Sequence, residues 1–156
     1  MKITIINVAN KMPNWVDDAC NDYIKRINRG KYSCQFIEIK SDKNPNKSAT
    51  DNKALEAKKI LSQIPVGSFI IVLDEKGIKF DSLKFANKLE NITLNYSLIT
   101  FIIGGADGVH ENLKAKANLV MQLSDLTFPH ALVRIIILEQ IYRAITILEN
   151  HPYHRE

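Results

Sequence analysis

The chain has only two cysteines, Cys20 and Cys34, placed 14 residues apart. That spacing excludes a CxxC redox pair and a zinc cluster, since neither has further ligands beside it. Both thiols fall in segments that read as helix and strand, so they are taken as small buried residues. No apolar run approaches the ~20 residues that a membrane-spanning helix needs. The opening MKITIINVAN lacks the apolar length and small-residue cleavage site of a secretory signal, and a cytoplasmic location with no membrane partner is expected. No serine or cysteine sits in a nucleophile elbow, which removes triad chemistry. Neither GxGxxG nor a Gly-Lys-Ser/Thr loop occurs, which weakens any reading as a nucleotide-binding oxidoreductase. Internal repeats and interdomain linkers are absent too.

What is present fits one compact domain over residues 1–156: 46% of the residues are apolar, enough to bury a core without disulfides or a structural metal. The formal charge of +4 and pI near 9.0 favour an acidic partner such as nucleic acid without requiring one.

Lys2 to Val8 are β-branched and apolar, and Trp15, Val16, Ala19, Cys20, Tyr23, Ile24 and Ile27 then recur at helical spacing, predicting a strand and an amphipathic helix. Pro13 suits the first turn of that helix and Arg29-Gly30 its exit. A second strand is predicted over about Gln35 to Ile39. Residues 40–53 hold four lysines and no large apolar side chain. A mobile surface loop is the favoured reading over an RNA-binding finger, with Lys40, Lys43 and Lys47 as candidate phosphate contacts. A helix from about Asp51 to Gln63 follows. Phe69 to Leu73 and Leu98 to Ile103 are nearly unbroken apolar runs, the pattern of central parallel strands covered on both faces. Between them Asp81 or Ser82 caps a short helix. A polar helix then ends near Lys116, Leu119 to Leu123 form a strand, and Ala131 to Glu149 form a helix apolar on more than one face. The alternation predicts an α/β fold whose mostly parallel sheet is sandwiched by helices, with the last helix shared between two copies of the chain.

Three constellations can carry chemistry. In FIIGGADGVHE (101–111) a buried strand ends in a glycine-rich turn, which is either a plain strand-to-helix connection or a loop that lets a ligand approach the main chain. In LSDLTFPH (123–130) Leu126 and Phe128 are either core plugs or the walls of an adenine-sized slot. Leu73, followed by Asp74, ends a central strand at the same carboxyl edge, where open α/β sheets bind ligands. The tail HPYHRE (151–156) combines two histidines, a tyrosine and an arginine; His151 and His154 alone do not make a metal site, and no metal is expected. A tail that packs into a partner's active site is the preferred reading. Glu139 and Arg143 are spaced for an i,i+4 ion pair.

Taken in order, MKITIINVANKMPNWV, LD at 73–74, IGGADG at 103–108, LSDLTFPHALVR at 123–134, EQIYRA at 139–144 and HPYHRE resemble the ribosomal RNA large subunit methyltransferase H family along the whole chain. These are pseudouridine N3-specific enzymes of the SPOUT class. The resemblance implies a C-terminal trefoil knot, a homodimer, S-adenosylmethionine as methyl donor, and large-subunit ribosomal RNA, within the assembled ribosome, as substrate. It places the cofactor at Leu73, Gly104, Gly105 and the loop Leu123, Ser124, Asp125, Leu126, Thr127 and Phe128. Tyr153, His154 and Arg155 would line the substrate side, across the dimer interface. The imide N3 must lose its proton before it attacks. His154 is the expected base and Arg155 the group that stabilises the resulting anion. The competing reading is a non-catalytic ribosome-associated RNA-binding protein, which need not bind S-adenosylmethionine.

Overall fold

The structure, a computed structural model, describes residues 1–41 and 44–154. Lys43 and Arg155, both singled out in the sequence, lie outside the described residues. Strands β1 (Lys2–Val8), β2 (Ser33–Ile39), β3 (Phe69–Lys79), β4 (Leu98–Ile103) and β5 (Leu119–Gln122) form one sheet of order β2-β1-β4-β3-β5, and every pairing is parallel. Helices α1 (Asn14–Ile27), α2 (Ala49–Gln63), α3 (Ser82–Thr93), α4 (Glu111–Lys116) and α5 (His130–Leu148) alternate with the strands. The chain thus adopts the expected α/β class, a parallel sheet between helical layers. Among the described residues no helix is long and apolar enough to cross a membrane.

Alternation along the central strands explains their unbroken apolar runs. Ile3 and Ile5 of β1, Ile71 of β3 and Phe101 of β4 face the layer of α1, α3 and α5, packing with Val16, Phe85, Leu89, Leu138 and Ile141. Ile6, Val72 and Ile102 point the other way, onto Ala57 and Ile60 of α2 and Leu113 of α4. Each such side chain contributes roughly 1.5–3 kcal/mol relative to exposure, so neither face tolerates a polar residue cheaply. Because all the strands run the same way, every strand-to-helix loop emerges at one edge of the sheet.

Several boundaries differ from the sequence reading for identifiable reasons. β2 begins at Ser33, because Ser33 and Cys34 already pair with Lys2 and Ile3. Burial pushes the Cys34 thiol up to about 12, in keeping with an inert core residue. Pro13 occupies the position just before α1 instead of its first turn. α2 starts at Ala49, ahead of the expected Asp51, because Ser48 Oγ accepts the Asp51 N–H at 3.1 Å and caps it. Residues 44–48 before it are mostly exposed, yet they wind around buried Asn52. That side chain accepts from the Asn44 N–H at 3.0 Å and donates to the carbonyls of Asn44 and Lys47 at 3.1 and 3.4 Å. β3 does not end at Leu73. Leu73 is its last residue paired with β4, but after a bulge Ile78 and Lys79 pair with Met121 and Gln122 of β5. Gly77 permits this, because any Cβ there would collide with the Met121 and Gln122 backbone.

Candidate active site

The carboxyl ends of β3, β4 and β5 surround a cleft of about 780 Å³. All nine residues expected to hold the cofactor line it: Leu73, Gly104, Gly105 and Leu123 through Phe128. They come from three separate segments, so the sheet topology, and no local pattern, brings them together.

The β4–α4 loop doubles back sharply. A Cβ on Gly104 would lie 2.6 Å from Val109 Cγ2 and 2.9 Å from the Gly108 carbonyl group, which closes this position to other residues. The Gly108 N–H donates to the Gly105 carbonyl at 3.0 Å, and His110 Nδ1 then accepts the Asn112 N–H at 3.2 Å to start α4. In the β5–α5 loop, Ser124 Oγ accepts the Leu126 N–H at 3.0 Å, and Asp125 pairs with Lys79 at 2.5 Å. Lys79 holds the Asp125 carboxyl below the usual carboxylate range. Leu126 is 72% exposed, so the core-plug reading fails for it: an apolar side chain is presented to the cleft. Leu123 leaves β5 to line the same cavity, which is why the strand stops at Gln122.

At the floor, Asp74 accepts the Lys76 N–H at 2.9 Å and pairs with Lys114 at 2.7 Å. Partial burial by itself would raise the Asp74 pKa; the Lys114 ammonium and the Lys76 amide reverse this and hold it below the usual range. His130, at the start of α5, is pushed down by burial and by the Arg134 guanidinium; its Nε2 lies 2.8 Å from Asn7 Oδ1. Five carboxylates (Asp74, Glu75, Asp107, Glu111, Asp125) and three lysines (Lys53, Lys76, Lys114) line the cleft, a formal net of −2 in a chain of +4. Such a site favours a ligand that carries positive charge. Among the described residues no cluster of three His, Cys, Asp or Glu could hold a metal ion. Sequence reasoning missed Lys53, Lys114 and Val133 as cleft residues, since nothing in their own segments marks them.

The tail lies elsewhere. Asn150 adopts φ 54°, the His151 N–H donates to the Thr146 carbonyl at 2.8 Å, and the Asn150 N–H donates to the Ile147 carbonyl at 3.1 Å. This Schellman closure turns the chain back along α5. Tyr153 OH then donates to Glu139 Oε1 at 3.2 Å and packs edge-on against Tyr142, with ring centroids 4.8 Å apart. Arg143 donates to Glu139 Oε1 from Nε at 2.9 Å and from Nη2 at 2.5 Å, and its Nη1 lies 3.3 Å from His154 Nδ1. The ion pair foreseen in the sequence therefore forms and also anchors the tail, a role its spacing did not disclose. Neither Tyr153 nor His154 lines the cleft of its own chain.

A family model described as "Predicted SPOUT methyltransferase" matches residues 1–154. Two relatives named "Ribosomal RNA large subunit methyltransferase H" align over the full length of both chains, one from Neisseria gonorrhoeae at 46% identity and one from Chromobacterium violaceum at 43%. A solved structure from Haemophilus influenzae, "a probable methylase family protein", superposes with a TM-score of 0.57 over 99% of this chain and 70% of that one. Its sequence identity is 12%, so that likeness concerns the fold alone.

Proposed function

The chain belongs to the SPOUT methyltransferase family, and from that membership we propose that it methylates N3 of a pseudouridine in large-subunit ribosomal RNA, on the assembled ribosome. The observation that carries this reading is the convergence of Leu73, Gly104, Gly105 and the 123–128 loop on one cleft. The relatives' names supply the ribosomal RNA, and the ordered motifs, above all the terminal HPYHRE, supply the pseudouridine.

S-adenosylmethionine, the family's methyl donor, supplies a sulfonium-bound methyl already activated for transfer, so the reaction needs no metal. The cleft suits it. Its volume lies within the range of small-molecule sites, the exposed Leu126 and the neighbouring Phe128 and Leu73 offer apolar walls, and the excess of carboxylates complements a cation. Main-chain groups of Gly104, Gly105 and residues 123–128 would orient it.

The substrate side falls to Tyr153, His154 and Arg155 of a second copy. Tyr153 docks at Glu139, six residues beyond the cleft residue Val133, which is roughly 9 Å along the helix axis. A chain therefore leaves its own cleft open on that side, and a homodimer closes it. The family's C-terminal trefoil knot belongs to the same proposal.

The test is to incubate the purified protein and labelled S-adenosylmethionine with ribosomes from cells lacking the activity, then to map the label by nuclease digestion and mass spectrometry. A methyl on pseudouridine N3 of large-subunit RNA is expected. Label on another base would overturn the site. Failure to bind S-adenosylmethionine would return the chain to the class of non-catalytic RNA-binding proteins.

A further inference from the structure

The contact between Arg143 and His154 has only one possible polarity. A guanidinium offers N–H donors and no acceptor, and it stays protonated at any pH a protein survives. At 3.3 Å, therefore, Arg143 Nη1 donates and His154 Nδ1 accepts. A neutral imidazole carries one ring proton. With Nδ1 bare, that proton is on Nε2, and the edge that His154 turns away from α5 is an N–H.

We propose that the Glu139–Arg143 pair fixes His154 in its Nε2–H tautomer, so that His154 acts as a hydrogen-bond donor to a carbonyl oxygen flanking the target N3, and not as the base that removes its proton. This rests on the methyltransferase reading above. As the N3 proton passes to solvent water, negative charge spreads onto the two flanking oxygens, and an N–H held at one of them stabilises that charge. The N3 lone pair then forms the new C–N bond while the methyl's C–S bond breaks, its electron pair staying on sulfur. His154 neither gains nor loses a proton in the cycle.

The surroundings keep the device rigid. Glu139 Oε2 accepts from the Gln140 amide at 2.6 Å, while its Oε1 takes Arg143 and the Tyr153 hydroxyl. The Arg143 guanidinium lies 5.0 Å from the Tyr153 ring centroid. Burial, with Tyr23 and Glu139 beside it, pushes the Tyr153 phenol up, so it remains a neutral donor to Glu139. Tyr142, Tyr23 and Arg26, which stacks over both of those rings, also pack around the tail, and His151 Nδ1 accepts the Tyr153 N–H at 3.2 Å. None of them offers Arg143 an alternative polarity toward His154.

The closing experiment has two arms. In the first, the His154 tautomer is read by long-range ¹H–¹⁵N correlation in the intact wild-type protein and in Arg143→Met. The Nε2–H form is expected in the wild type, with Arg143→Met shifting the population toward Nδ1–H. An Nδ1–H wild type, or a tautomer indifferent to Arg143, overturns the assignment. In the second arm, methylation of ribosomes is compared for His154→Gln, whose amide N–H replaces Nε2–H but takes no proton, and His154→Ala. The glutamine variant is expected within about tenfold of the wild type and the alanine variant about 10²–10³-fold below it. A glutamine variant as inactive as alanine restores the base and sinks the donor role. A wild type that shows the Nε2–H tautomer but methylates no RNA overturns the methyltransferase reading itself, and the donor role falls with it.

Discussion

At the residue scale, the cleft depends on positions where a single methyl group has nowhere to go. A Cβ at Gly104 would sit 2.6 Å from Val109 Cγ2 and 2.9 Å from the Gly108 carbonyl, whereas one at Gly105 would meet the end of the flexible Glu56 side chain at 3.1 Å and Val8 Cγ1 at an ordinary contact distance of 3.5 Å. Gly104→Ala is therefore expected to lower stability by about 1–3 kcal/mol and to weaken S-adenosylmethionine binding by about tenfold, or ~1.4 kcal/mol. Gly105→Ala should cost distinctly less stability. Urea melts and titration calorimetry read both quantities, and an unperturbed Gly104→Ala would show that the loop relaxes freely. The glycines were legible in the sequence as a turn. Which of them is crowded was not, because the crowding comes from Val109 folding back over the loop, a contact that no local pattern encodes. Leu126 gives the converse case: its apolar character was plain, but a side chain in a loop can be tucked in or held out, and only the packed structure decides.

At the scale of the element, α5 shows where periodicity informs and where it stops. Apolar residues on more than one face announced a helix covered on more than one side, and the Glu139–Arg143 spacing announced an ion pair that forms at 2.5 Å. Depth was hidden. Arg134 reads like Arg143 in the sequence, yet it is only 2% exposed. Its Nη2 bonds Glu38, its guanidinium lies 4.7 Å over Phe36, and its Nε and Nη1 have no partner among the described residues. Each buried, unsatisfied N–H costs roughly 1–3 kcal/mol, while Glu38 is half-exposed and can be rehydrated if its partner is lost. Arg134→Met, which keeps most of the volume, is thus expected to fall within about 1 kcal/mol of the wild type or above it. Arg134→Ala, which empties the site, should lose about 2–3 kcal/mol. Chemical denaturation of the two variants separates packing from charge. Equal losses would mean that the guanidinium, and not its stem, holds α5 on the sheet. β3 teaches the same limit from the other side: its first half was readable from its apolar run, but its continuation past the bulge depends on pairing with β5, which is more than forty residues distant in sequence.

At the scale of the whole molecule, the unbroken apolar runs disclosed a parallel sheet with both faces covered, but not the order β2-β1-β4-β3-β5 that collects three loops into one cleft. The same order, with the Schellman closure after α5, separates the tail from the cleft of its own chain. The proposed enzyme thus has two half-sites on each subunit that never meet within it, which makes a strong demand on assembly. Gly104→Val should disable a subunit's cleft and spare its tail, while His154→Ala should do the reverse, so each homodimer should have little activity. In a heterodimer of the two, the intact cleft of one subunit faces the intact tail of the other, and one of the two sites is whole. Coexpression with two affinity tags, followed by methylation assays on the doubly tagged species, should recover roughly half of the wild-type turnover per dimer. If each cleft were completed by its own tail, every site in that heterodimer would carry one lesion and no activity would return. Recovery can thus arise only from sites shared between chains, and its absence in a well-folded heterodimer would place the tail and the cleft of one chain back in the same site.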